Sequence, residues 1–221
     1  MARTRACLVD VYDTIVSCDF LIRRNEMAML AGVEAQAWRE GYQRYEYMLN
    51  TGQLTKAEGF ELILRGCGAE PRPDLVRALL DKDRELLFAT TRLYDDVLPF
   101  LTGLRSRDIK IAIVSNCGEY TRELLVELGV AALADALVLS CEVGAAKPAA
   151  EIFRHALDQL GVSAGTALFV DDQPGYCAGA VALGIAAVRI ERGEPAGLVP
   201  AAETAAVTTV VRSLPEVEAL L

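Results

Sequence analysis

The chain is poor in the residues on which several large enzyme classes depend. It has one histidine, His155, no pair of cysteines at CxxC spacing, and only four lysines among its 22 basic residues. A Ser-His-Asp triad would have to use that one imidazole, whose neighbours Ile152, Phe153, Ala156 and Leu157 read as a helix face, so this chemistry is disfavoured. The same scarcity argues against a zinc site, since no His or Cys group has ligand spacing. No apolar run reaches the ~18–20 uncharged residues that a bilayer crossing needs. Asp10, Asp13 and Asp19 interrupt the N-terminal stretch where a signal peptide would be continuously apolar, and the expected compartment is the cytoplasm. Positive charge is also short. With 22 Lys and Arg against 31 Asp and Glu, the net charge of −9 argues against general binding to nucleic acid or to an anionic membrane. A small anionic substrate stays open, because a local site can oppose the global field.

What is present suits one domain, or one domain carrying an insertion: 221 residues, 52% of them hydrophobic and 24% charged. Cys7, Cys18, Cys67, Cys117, Cys141 and Cys177 mostly lie in or beside apolar runs and are expected to be buried free thiols. Five short, near-continuously apolar runs read as strands buried on both faces: Ala6–Val9, Ile109–Val114, Ala136–Leu139, Ala167–Val170 and Ile185–Ile190. Helical patterns over Thr121–Leu128, Ala149–Leu160 and Tyr176–Leu183 separate the later ones, each stopping at a glycine. This alternation predicts parallel strands, right-handed crossovers and a three-layer α/β core. Val207–Val211 is expected as an edge strand and 193–206 as a loop.

Residues 16–91 break the rhythm and read as all-helical. Helices are expected over Asp19–Ala31, Glu34–Leu49, from Thr55 with Glu58 completing a capping box, and over Asp74–Phe88. Trp38, Tyr42, Tyr45 and Met48 or Leu49 recur at helical spacing and are expected to pack on neighbouring helices rather than to form a ligand cage. The domain division predicted is a core of 1–15 and 92–221 with a helical cap, 16–91, over the end of the first strand.

Open parallel sheets bind ligands beyond the carboxyl ends of their strands. The first strand ends in Asp10-Val11-Tyr12-Asp13-Thr14, the second in Ser115-Asn116 and the fourth in Asp171-Asp172, while Lys147-Pro148 opens the helix before that fourth strand. Carboxylates offer hard oxygen ligands for Mg²⁺ and a nucleophile; Ser and Lys offer donors to a transferring phosphoryl group. Each residue alone has a structural explanation as a helix cap or turn. Their order along four successive strand ends does not.

That order resembles the haloacid dehalogenase-like hydrolase superfamily, over almost the whole chain. Its motifs correspond to Leu8-Val9-Asp10-Val11-Tyr12-Asp13-Thr14, Ile113-Val114-Ser115-Asn116, the stretch ending Lys147-Pro148, and Phe169-Val170-Asp171-Asp172. The resemblance implies a Rossmann-like core with an inserted helical cap. It also implies Asp10 as nucleophile in a covalent aspartyl intermediate, and Mg²⁺ held by Asp10, the Tyr12 carbonyl and the acids Asp171 and Asp172. Ser115, Asn116 and Lys147 would bind substrate, and Thr14 would brace the loop.

One residue departs from the phosphatase pattern. Family phosphatases carry a second Asp, the general acid and base, where this chain has Tyr12, and Asp13 is the substitute to consider. Haloacid dehalogenases proper share the tyrosine. They have Ser-Ser-Asn, however, where this chain has Asp171-Asp172-Gln173, and an Arg at the place of Gly41, with Arg39 and Arg44 only nearby. The expectation is a Mg²⁺-dependent phosphate ester or anhydride hydrolase. The alternatives are a 2-haloacid dehalogenase and a catalytically weak ligand- or partner-binding member of the fold. Arg23, Arg24, Arg39 and Arg44 are the cap cations placed to reach an anionic substrate, against which solvated surface positions are the favoured reading.

Overall fold

The computed structural model describes residues 4–193 and 209–221. Strand β1 (Ala6–Val9) leads into β2 (Val16–Cys18), and four helices follow: α1 (Phe20–Ala31), α2 (Ala35–Asn50), α3 (Lys56–Gly66) and α4 (Pro73–Thr90). The chain returns through β3 (Thr91–Leu93), α5 (Val97–Ser106), β4 (Lys110–Ser115), α6 (Thr121–Glu127) and β5 (Ala136–Leu139). It then runs through α7 (Ser140–Val143), α8 (Ala150–Leu160), β6 (Ala167–Asp171), α9 (Pro174–Ala182), β7 (Ala186–Ile190), β8 (Val210–Val211) and α10 (Leu214–Glu218).

The main sheet is parallel throughout, in the order β5-β4-β1-β6-β7-β8. The four residues of β1 are fully buried because the sheet is covered on both faces. Cys7 and Val9 enter a core with Phe100, Leu101 and Leu104 of α5. Ala6 and Leu8 enter a second core on the other face with Ile152, Phe153 and Ala156 of α8. Two-sided burial accounts for runs without alternation, and each large side chain so buried contributes about 1.5–3 kcal/mol. These layers are the three-layer α/β architecture expected from the sequence.

Helices α1–α4, inserted between β1 and the rest of the sheet, have a hydrophobic core of their own around Met27, Trp38, Phe60, Ile63, Leu64 and Leu79. Trp38 packs on Phe60 with ring centroids 5.7 Å apart. The capping box of α3 is formed, with Thr55 and Glu58 satisfying each other's backbone N–H groups. Three features differ from the sequence reading. The crossings into and out of the helical insert pair as a short antiparallel ladder, β2 with β3. Helix α5 forms where no element was expected: Val97, Phe100, Leu101 and Leu104 carry the period, and Pro99 sits in the first turn, where its missing N–H is harmless. The edge strand is Val210–Val211, while 207–208 and most of the expected loop lie outside the described residues. Among the described residues no helix is long and apolar enough to cross a membrane. Cys7, Cys117 and Cys177 are buried, whereas Cys18, Cys67 and Cys141 are only partly so, and all six are free.

Candidate active site

Because β1 lies between β4 and β6, the residues at their carboxyl ends are lateral neighbours. Asp10 follows β1, Ser115 closes β4, and Asp171 closes β6 with Asp172 next. Asp10, Asp171 and Asp172 each present an oxygen within 4.8 Å of the others. Lys147 reaches the same point from the connection between α7 and α8. Its Nζ donates to Asp10 Oδ1 at 2.5 Å and to Asp171 Oδ2 at 2.6 Å. Asn116 holds the Lys147 backbone at both ends: its Nδ2 donates to the Lys147 carbonyl at 2.9 Å, and its Oδ1 accepts from the Lys147 N–H at 2.7 Å. Gly179 lets α9 close on this segment, since a Cβ there would stand 2.6 Å from the Pro148 carbonyl oxygen.

The charges do not balance. Burial raises the Asp171 carboxyl to about 8, with Lys147 opposing the shift and Asp10 adding to it. Burial, then the neighbouring Asp10, lifts Asp172 to about 7. Burial works against the Lys147 charge, but Asp10 and Asp171 outweigh it and hold the ammonium well above its ordinary value. Three carboxylates against one fixed cation is a donor set that suits a hard divalent ion such as Mg²⁺.

The remaining residues expected at the site fall into two groups. Ser115 and Thr14 are fully buried, and neither hydroxyl has a hydrogen-bond partner among the described residues. Ser115, next to the carboxylate cluster, is therefore an uncommitted donor. Tyr12 does not join the carboxylates. Its hydroxyl pairs with Thr121 Oγ1 at 3.0 Å, its ring meets Phe20 edge-on, and burial pushes its phenol far above the ordinary range. Asp13 adopts a left-handed backbone (φ 57°) and borders the cavity; it keeps solvent access, yet partial enclosure of its carboxyl and then Asp10 raise it.

A cavity of about 320 Å³ lies above Asp10 and Lys147, roofed by the helical insert. Trp38, Tyr42 and Phe60 reach it, so the aromatic stripe both packs the insert and lines the cavity. Two expectations about cations are corrected here. Arg23 and Arg24 face the cavity instead of solvent, and Arg23 Nη2 donates to Asp83 Oδ1 at 2.8 Å. Asp83 is also bonded by Lys56, and all three side chains are largely buried. Neither Lys56 nor Asp83 stood out in the sequence. Asp83 does fall on the apolar stripe of α4 with Val76, Leu79, Leu86 and Leu87, which is the signal that was available.

Behind the loop that follows β1, Arg192 Nε donates to the Thr14 carbonyl at 2.9 Å and its Nη1 to Asp96 Oδ2 at 2.7 Å. Its guanidinium lies over the Tyr94 ring. Arg192 thus ties the end of β7 to both crossings of the insert, a contact with no local sequence motif.

A family model for haloacid dehalogenase-like hydrolases matches residues 4–184. The chain is 34% identical over 198 residues to glyceraldehyde 3-phosphate phosphatase of Methanopyrus kandleri, covering 86% of this chain and 85% of that protein. It is 30% identical over 231 aligned positions to (S)-2-haloacid dehalogenase 4A of Burkholderia cepacia, covering 98% and 94%. A Bacteroides thetaiotaomicron enzyme solved in complex with magnesium and inorganic phosphate shares the fold at a TM-score of 0.69, with 20% identity over 88% of this chain and 98% of that one. The chain therefore belongs to the haloacid dehalogenase-like hydrolase family and is a hydrolase, with both phosphatases and dehalogenases among its relatives.

Proposed function

We propose that this hydrolase cleaves small phosphate esters or anhydrides with Mg²⁺, through an aspartyl-phosphate on Asp10. The observation that carries the reading is the trio Asp10, Asp171 and Asp172, whose oxygens lie within 4.8 Å of one another against the single cation Lys147. Asp10, Asp171, Asp172 and the Tyr12 carbonyl would hold the ion. When bound, Mg²⁺ supplies positive charge to the phosphoryl oxygens and relieves the repulsion among the carboxylates. An Asp10 oxygen attacks phosphorus and the leaving oxygen departs; water then cleaves the acyl phosphate, returning the Asp10 carboxylate and phosphate. Lys147 stays protonated and offsets the charge of the incoming anion, and the free Ser115 hydroxyl donates to a phosphoryl oxygen. Asn116 supports this by fixing the Lys147 backbone.

Tyr12 stands where proton transfer to the leaving group is normally performed, and its high, hydrogen-bonded phenol is a poor acid. That role is typically worth ~10²–10⁴ in rate, so good leaving groups and anhydrides suffer least. In this reading residues 16–91 act as a cap that closes over Asp10 and selects the substrate, since the insert supplies the roof of the cavity and the core supplies the charged cluster. Hydrolysis of an activated aryl phosphate should require Mg²⁺ and be lost in Asp10→Asn. Activity persisting in excess chelator would remove the metal from the mechanism. Tyr42→Ala should alter preference among bulky phosphates while leaving the Mg²⁺ requirement intact; an unchanged substrate profile would count against the cap role.

A second reading, 2-haloacid dehalogenase, is favoured by Tyr12 itself, because displacing halide from carbon needs no protonated leaving group. Chloride release from 2-chloropropionate, in the same assay without metal, would promote it.

A further inference from the structure

The rim holds a second reactive pair that the hydrolytic reaction does not use. Cys117 lies just past the end of β4 and Cys141 just past the end of β5. The parallel register ends with Ser115 opposite Leu139, and Cys141 then stands in the first turn of α7, directly after Ser140. Ser140 fastens the two segments: its Oγ accepts from the Cys117 N–H at 2.9 Å and donates to the Cys117 carbonyl at 3.4 Å. Both thiols belong to one packed cluster, Cys117 3% exposed and Cys141 partly open to solvent.

We propose that Cys117 and Cys141 form a dithiol oxidation site, closed to a disulfide by peroxide and reopened by thiols. The two thiols are near enough to shift each other's ionisation. Cys117 pulls the Cys141 thiol below its ordinary value, whereas Cys141, and then burial, push Cys117 up. Cys141 is therefore both the more accessible and the more readily ionised of the two. Its thiolate attacks one peroxide oxygen and becomes a sulfenic acid, and the other oxygen leaves as hydroxide. The Cys117 thiol then attacks the Cys141 sulfur, forming the S–S bond and releasing water. Across both steps the two thiols lose two electrons and two protons, and one peroxide is reduced to two waters.

The bridge would act on the site from two sides. Asn116, whose amide holds Lys147, directly precedes Cys117. The insert rests on the other partner: a Cβ on Gly52 would collide with the Cys141 carbonyl oxygen. Contracting two sulfurs to the ~2.05 Å of a bond pulls on both the Lys147 support and the seat of the insert. The expected loss of turnover is roughly tenfold to a hundredfold, the scale on which small misplacements of catalytic groups act.

The test treats the full-length protein with hydrogen peroxide and follows intact mass, disulfide mapping and Mg²⁺-dependent aryl phosphate hydrolysis. A loss of two hydrogens, a peptide linking Cys117 to Cys141, and a fall in turnover that dithiothreitol reverses are expected. Cys141→Ser should remain active in peroxide, as should Cys117→Ala, which keeps the apolar packing if the serine variant at that position misfolds. Thiols that stay reduced, bridges to other cysteines, or a mapped 117–141 bridge with full activity would each overturn the proposal. The effect on turnover rests on the phosphatase reading, but the bridge is read by mass. A protein inactive on aryl phosphates before oxidation would count against that reading alone.

Discussion

Two buried ion clusters are associated with one cavity, and they are out of balance in opposite directions. On the core side, three carboxylates cluster around a single cation, Lys147, which bonds only Asp10 and Asp171, and Asp171 and Asp172 are pushed up to about 8 and about 7. On the insert side, Asp83 sits between Lys56 and Arg23; burial alone would raise its carboxyl, yet the two cations more than offset this and hold it below the usual range. Two of the four lysines in the chain are spent here, one per cluster. The insert cluster has cation to spare, with Arg23 Nε unpartnered among the described residues, and it ties α1, α3 and α4 together. The core cluster is short of positive charge, the condition expected of a site that gains a cation with its ligand. Burial alone does not distinguish a functional cluster from a structural one; the sign of the remaining deficit does.

The sharpest way to break this contrast is to add a carboxylate to the side that already has too many. Tyr12→Asp should raise turnover on a poor leaving group by up to ~10²–10⁴-fold, and less on a good one, because restored acid catalysis matters in proportion to leaving-group basicity. An equal change on both substrates would show that proton transfer is not what the tyrosine displaced.

Next comes a pair of neutralising substitutions. Asp83→Asn leaves two buried cations facing each other and should destabilise the protein by about 3–5 kcal/mol. Asp171→Asn removes a carboxylate that the fold holds at a disadvantage, so stability without metal should hold or rise while Mg²⁺ binding weakens. Chemical denaturation with and without Mg²⁺ measures both. Similar losses from the two variants would erase the distinction between the clusters.

The smallest effect is a pH signature. Because the native Asp83 carboxyl lies below its ordinary value near 3.8, its contribution is fully present above that pH and is lost as pH falls through the lower native value. The stability gap between wild type and Asp83→Asn should therefore be flat from pH 7 to about 4 and narrow below. A gap that narrows near pH 6 would indicate a different titrating group.

The core half of this contrast was legible in the sequence and the insert half was not. Asp10, Ser115 and Asp171-Asp172 sit in short strings at strand ends, where apolar runs stop abruptly at polar residues, Lys147-Pro148 precedes a helix, and the parallel topology then leaves them one place to meet. Arg23, Lys56 and Asp83 meet across partners 27 and 60 residues apart. Asp83 lies in the run Asp81-Lys82-Asp83, which has the composition of a solvated face, and only its place on the stripe with Leu79 and Leu86 sets it apart. Helix α5 was hidden differently. Its ten residues contain Pro99 and Gly103 between two apolar runs, so its period was masked by residues that usually end helices. The role of Arg192 depends on a carbonyl and a ring brought to it by tertiary structure, which no local pattern encodes.

The position of β1 also sets an order of assembly. Ala6 pairs with Lys110 on one side and with Ala167 on the other, so β1, which precedes both partner strands in the chain, lies inside the finished sheet. It has no partner in that sheet until β4 has emerged from the ribosome, and only one until β6 follows. The helical insert has local contacts and its own hydrophobic centre, and all of its sequence is available by residue 90. Local contacts form fast and distant pairings form late, so during synthesis the insert can be structured while Asp10 is still on an unpaired strand. Asp10 is thus made before the insert and before both strands that flank it, yet its place is set only after they have followed.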